Sequence, residues 1–176
     1  LADSIVPRQQ WAAIEPRRQI KMNGRADEIF LWQTGPDTCS LMGLTADKCQ
    51  GCLQDSSCTE QIVKALQDAD FKEGNDDIKY NFLIDQDGVI YEGRGWGVVG
   101  QHTKGRDSHS IGVAVIGDFG KKEPSQALQD ALSKLIICGQ AAEELSSGAR
   151  LRTTPAMSGQ AFYDMLDRCD GLCLDD

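Results

Sequence analysis

A chain of 176 residues, 40% hydrophobic and 26% charged, has the size and composition of one globular domain and not of a disordered or fibrous protein. Its formal net charge of −9 excludes nucleic acid as the expected partner, because a phosphate backbone must be met by surplus Lys and Arg. No apolar run approaches the roughly 20 residues of a membrane helix, so no membrane segment is expected within the chain. Leu1 in place of an initiator Met is read as the mark of a processed piece.

Residues 1–25 read as an extended N-terminal arm anchored by Trp11. Ile29-Phe30-Leu31-Trp32 is a short continuous apolar run, the pattern of a buried strand. The following Cys- and Gly-bearing stretch is long enough to need a staple or a short helix of its own. Ile62, Ala65, Leu66 and Ala69 then recur at helical spacing. Residues 80–84 and 89–91 flank Asp85-Gln86-Asp87-Gly88, and Asp-Gly between apolar strands predicts a hairpin. Residues 110–116 are apolar on both faces and belong in the middle of a sheet, closed by Gly117-Asp118. The longest helix starts near Ser125, behind Pro124, with Leu128, Ala131, Leu132, Leu135, Ile136 and Ala142 as its stripe. A polar loop runs to Gly159, and a last short helix carries Phe162, Met165 and Leu166. With no repeat and no linker, the expectation is one α/β domain over residues 1–176: a mixed central β-sheet flanked by helices.

Seven cysteines, Cys39, Cys49, Cys52, Cys58, Cys138, Cys169 and Cys173, form two clusters and one loner. In a reducing compartment Cys49-x-x-Cys52 with its neighbours would suggest zinc. The surroundings carry no His and no second basic knuckle, so disulfides and an extracellular location are the preferred reading. Cys138 falls on the apolar side of its helix and is expected to be buried and free. His102 and His109 are the only histidines, and a Cys–His nucleophile pair would need a free low-pKa thiol beside one of them. Asp85 and Asp87 are explained by the turn they build.

Several stretches together resemble the peptidoglycan recognition proteins, relatives of the phage-type zinc amidases. They are Ile5-Val6-Pro7-Arg8, Trp11-Ala12-Ala13, the run Asp77 to Ile84, Asp87-Gly88, Tyr91-Glu92-Gly93-Arg94-Gly95-Trp96, Gly100-Gln101-His102-Thr103 and Ser110 to Gly117. The resemblance covers almost the whole chain, and the ectodomains of insect LC-type membrane receptors look most alike. It implies the amidase-like fold. It also implies that residues 40–57 are an insertion, because the family has five residues between the paired cysteines that Cys39 and Cys58 would match. On that basis the pairs are Cys39–Cys58, then Cys49–Cys52 and Cys169–Cys173.

Active members of the family hold zinc on two His and a Cys. The first His position is Trp32 here, the Cys position is Met157, and the second His position is Ala149 by strict spacing or is lost in a deletion. No His follows His109. The resemblance thus implies no metal, no cofactor and no amidase activity. A groove over the former zinc site would be lined by Trp32, Thr34, Tyr80, Asn81, Arg94, Trp96, Gly97, Val98 and His102. Tyr80 and Trp96 offer faces for sugar or peptide, or are core residues. Arg94 pairs a peptide carboxylate, or a surface acid such as Glu92. Trp32 and the insertion take up room beside that groove. The function implied is a non-catalytic innate-immune receptor ectodomain at the cell surface. It would sense peptidoglycan fragments by joining a related domain loaded with a muropeptide, of diaminopimelate type by the LC likeness. The other reading is a direct, lectin-like peptidoglycan binder.

Overall fold

The computed structural model describes residues 4–54 and 56–171. Its centre is a five-stranded sheet in the order β3-β2-β4-β1-β5. β1 (Ala26–Gln33) lies between β4 (Ser110–Val115) and β5 (Leu145–Arg152), parallel to both. β2 (Phe82–Ile84) is parallel to β4 and forms the antiparallel hairpin with β3 (Ile90–Glu92). β4 is buried at every position, as its continuous apolar run requires of a strand with neighbours on both edges and layers on both faces.

Two helices supply those layers. α2 (Thr59–Lys72) connects β1 to β2, and α3 (Gln126–Ala141) connects β4 to β5. On the α3 side Ile29, Leu31, Phe82, Ile84, Ile111, Val113 and Val115 meet Leu128, Leu132 and Leu135, joined by Phe162 and Met165 of α5 (Gln160–Arg168). On the α2 side Leu83, Tyr91, Ala114 and Ile116 meet Ile62, Val63 and Leu66, and Trp11 of the arm closes this cluster. The arm is tied down by the bridges Val6↔Tyr91 and Lys21↔Val98 and by the Trp11 indole, which donates to Glu92 O at 2.8 Å. α3 starts where the sequence marks it: the Ser125 hydroxyl caps Leu128 N at 3.1 Å.

The expected polar loop after α3 is instead strand β5, and a short α4 (Pro155–Ser158) follows it. The insertion is also ordered, as a 3₁₀ turn (Pro36–Met42), α1 (Ala46–Gln54) and a second 3₁₀ turn (Ser56–Cys58). Its disulfides are Cys39–Cys49 and Cys52–Cys58, which corrects the expected Cys39–Cys58 and Cys49–Cys52 pairs. The reason is α1 itself. It carries Cys49 back toward the first 3₁₀ turn and Cys52 forward toward the second, so each thiol meets the cysteine nearest its own end of the helix. Their Cα atoms stand 5.4 and 5.3 Å apart, inside the range a disulfide needs. The five-residue spacing implied by the family is therefore that of Cys52 and Cys58. Cys169 is disulfide-bonded, while Cys173, the partner expected for it, lies outside the described residues. Cys138 is free, but half-exposed and not buried.

Candidate functional site

The two faces of the sheet are covered unequally. Side-chain alternation along β1 sends Ile29 and Leu31 to the α3 side and Glu28, Phe30 and Trp32 to the α2 side. The cluster beneath α2 stops at β4 and takes in neither Phe30 nor Trp32. These residues, with the segment 100–109 and the outward face of β5, make the open half of the sheet.

His102 occupies this half inside a slot cut by glycine. A Cβ on Gly112 would fall 2.2 Å from the imidazole and one on Gly100 2.5 Å from it, so both positions must lack a side chain. Thr103 joins the ring to the indole: Trp32 Nε1 lies 3.1 Å from Thr103 Oγ1, which lies 2.8 Å from His102 Nδ1. An indole N–H only donates, so the threonine oxygen accepts there, while the direction of its contact with Nδ1 follows the tautomer of His102. The other ring nitrogen of His102 is Nε2. That atom stands 3.3 Å from Asp107 Oδ1 but makes no hydrogen bond, because the carboxylate is aimed at the backbone N–H groups of His102 and Thr103. Burial pushes His102 down to about 4, against the pull of Asp107 and with help from Arg94. Trp32 is thus held by the hydrogen bond from its indole N–H to Thr103 Oγ1.

Beside it Glu28 receives both Arg106 and Arg152, and the Arg106 guanidinium lies 5.7 Å from the centre of the Phe30 ring. Hydrogen bonds from the two arginines hold the Glu28 carboxyl below the usual carboxylate range. None of these groups, nor Thr103, was expected from the sequence. The signal was available in β1 and β5, where Glu28 faces Arg150 and Phe30 faces Arg152 across the ladder.

Of the nine groove candidates, Trp32 and His102 come together through Thr103. Tyr80 packs at the edge of the α2 cluster, and burial raises its phenol, with Asp70 and Glu73 adding to the shift. Thr34 is spent on the fold: its hydroxyl oxygen accepts from Gly117 N and Thr38 Oγ1. Asn81 is wholly buried, donating to Gly95 O and Val98 O and accepting from Gly112 N. Arg94 is also buried and does not pair with Glu92. It donates to Ile78 O, Val99 O and Gln101 Oε1, and burial lowers its pKa. Trp96 packs against Phe82 with ring centroids 4.6 Å apart and the rings tilted by 57°, on the α3 side and so on the opposite face from Trp32. Gly97 accepts from Met22 N and Val98 pairs with Lys21, which makes this stretch a seat for the arm.

A zinc ion does not fit here. Trp32 offers a hydrogen-bond donor where a lone pair is needed, and Met157 sits half-buried in α4. Ala149 packs on the α3 side, so the register of β5 does not realise the strict-spacing alignment. Among the described residues no three His, Cys, Asp or Glu side chains converge.

The profile of the N-acetylmuramoyl-L-alanine amidase family matches residues 44–159. Peptidoglycan-recognition protein 1 of Holotrichia diomphalia is 45% identical over 101 residues, 57% of this chain and 51% of that protein. The chain spans about half or less of the length of the first curated relatives it matches. PGRP-Hd from Alvinella pompejana superposes with a TM-score of 0.92 at 96% identity, over 99% of this chain and all of that one. Peptidoglycan recognition protein-LE, solved with tracheal cytotoxin (monomeric diaminopimelic acid-type peptidoglycan), superposes with 0.80 at 25% identity, over 94% of each chain. The chain belongs to the N-acetylmuramoyl-L-alanine amidase family and, within it, to the peptidoglycan recognition proteins.

Proposed function

We propose that this chain is a non-catalytic peptidoglycan recognition domain of innate immunity, acting outside the cell as part of a cell-surface receptor. In this role it would join a related domain that carries the muropeptide. The observation that carries the reading is Trp32: the first metal position of the fold holds an indole, pinned by Thr103 and His102. An amidase needs three protein ligands and an open fourth position on zinc, and this donor set supplies neither. The disulfides around the insertion agree with an oxidising compartment.

A bulky indole also takes space from any ligand in the groove, while leaving its rim for a protein partner. Direct lectin-like binding is the second reading, favoured by the Arg106–Glu28–Arg152 cluster on this half of the sheet. Calorimetry distinguishes them. With a diaminopimelate-type muropeptide alone no heat is expected, and binding is expected once a groove-competent relative is added. Micromolar binding of muropeptide by this chain alone overturns the pairing model in favour of the lectin. One tightly held zinc per chain, with release of stem peptide, overturns both.

A further inference from the structure

The exposed edge of α2 carries a pattern that recognition of peptidoglycan does not use. Its charges outside the core, Glu60, Lys64, Asp68 and Lys72, fall on one i, i+4 row and alternate in sign along it. Asp70, the remaining charge of the helix, is buried on the other side. Between this row and the N-terminal arm run two adjoining hollows of about 420 and 380 Å³, which share Asp68. Trp11, Ala12, Met42 and Ala65 give the first its apolar walls, and Ile14 and Phe71 the second. Two large apolar side chains stand exposed in this region, Ile14 at 51%, which lines the second hollow, and Leu41 at 44%, next to Met42 of the first in the chain.

We infer that this edge is a self-complementary interface, on which a second copy of the chain lies with its α2 antiparallel about a two-fold axis at the height of Leu66. Within one chain Lys64 pairs with Asp68 and Glu60 accepts from Gln10, and the order of the charges lets the same row also match a second copy. Under that axis Glu60 meets Lys72 of the other copy and Lys64 meets its Asp68, so the whole row is matched by itself run backwards. A two-fold interface requires this reciprocity, with the same patch used on both subunits. An i, i+4 row is also the ridge by which helices most often interdigitate, each ridge lying in the groove beside the other, which sets the two charge rows side by side. The hollows on either side are where Ile14 and Leu41 of the partner would lose their exposure to water. This edge lies on α2 and the arm, clear of Trp32, so the inference stands apart from the proposed function.

The test is sedimentation equilibrium on the intact chain over a range of concentrations and salt. A dimer is expected at high concentration, with a dissociation constant that rises as salt screens the charge rows. Lys64→Asp or Asp68→Lys alone places like charges opposite each other twice per dimer and should weaken it at least about tenfold. The double variant Lys64→Asp with Asp68→Lys restores a self-matched row and should recover the dimer. An equimolar mixture of the two single variants should form the mixed dimer. All four positions are on the surface, and thermal melts of each variant confirm that folding is unchanged. A monomer at every concentration overturns the inference, as does a dimer indifferent to single reversals or one that the double swap fails to rescue.

Discussion

Ala12 holds its backbone at φ 61, in the left-handed region that costs an L residue about 1–2 kcal/mol and costs glycine almost nothing. After subtracting the extra freedom glycine gains when unfolded, Ala12→Gly is expected to be more stable by about 0.5 kcal/mol, read from the urea midpoint. Two other residues set opposing acid responses. His102 titrates near 4 in the fold against 6.5 when free, so the unfolded chain binds more protons between those values and stability falls as pH drops through that window. Asp70 titrates near 6 in the fold, raised chiefly by burial, against 3.8 when free. Here the folded chain binds more protons between 3.8 and 6, and stability rises as pH drops. The two cancel over most of the range. Asp70→Asn removes one side, so its melting temperature should fall further below wild type at each step from pH 6.5 to 4, and parallel curves would refute the assignment. The same scale shows why the site was only partly legible. Arg94, Asn81 and Trp96 have the residue types a ligand groove uses. Whether such side chains face a groove or the backbone beneath it depends on the hairpin and arm folded around them, which no spacing encodes.

The elements that could be read ahead are those whose local chemistry and tertiary role agree. Asp87-Gly88 makes the β2–β3 turn, and Gly88 is doubly required: its φ is 80 and a Cβ would stand 2.6 Å from Ala127 O at the start of α3. β4 announced itself by an unbroken apolar run. β5 did not, because it is an edge strand with Gly148 inside and apolar side chains only at Leu145, Ala149 and Leu151, and a bulge against Ala26 to Glu28 breaks the alternation. Disulfide pairing in the insertion was hidden for another reason: it depends on where α1 turns its thiols. Non-reducing peptide maps should link Cys39 to Cys49 and Cys52 to Cys58. In the chain-entropy model each of these short loops contributes about 2–3 kcal/mol. Ser56 also ties the insertion to the hairpin through Asp85 and Asp87. Replacing Cys39 and Cys49 by Ser should therefore loosen residues 36–54 in hydrogen exchange and leave the sheet amides protected.

For the whole molecule, the uneven cover of the sheet decides what the domain can bind. On the proposed reading, the side chain that takes the ligand's space in the open half is Trp32, which is held by a hydrogen bond to Thr103. Trp32→Ala is expected to give measurable muropeptide affinity by calorimetry where wild type gives none. If the variant stays silent while still folded, the indole is not the obstacle. Strand order has a further effect, in time. β1 sits between β4 and β5, yet its ladder partners begin only at Ser110 and Leu145. A growing chain must therefore carry Ile29 to Trp32 unpaired while residues 33–109 are still being made, and such distant pairings close slowly. The insertion's cysteines pair over only 10 and 6 residues and need not wait. Quenching the refolding of the oxidising chain at intervals should trap both of these disulfides before the amides of β1 are protected, so that the staple is set before the sheet it borders exists.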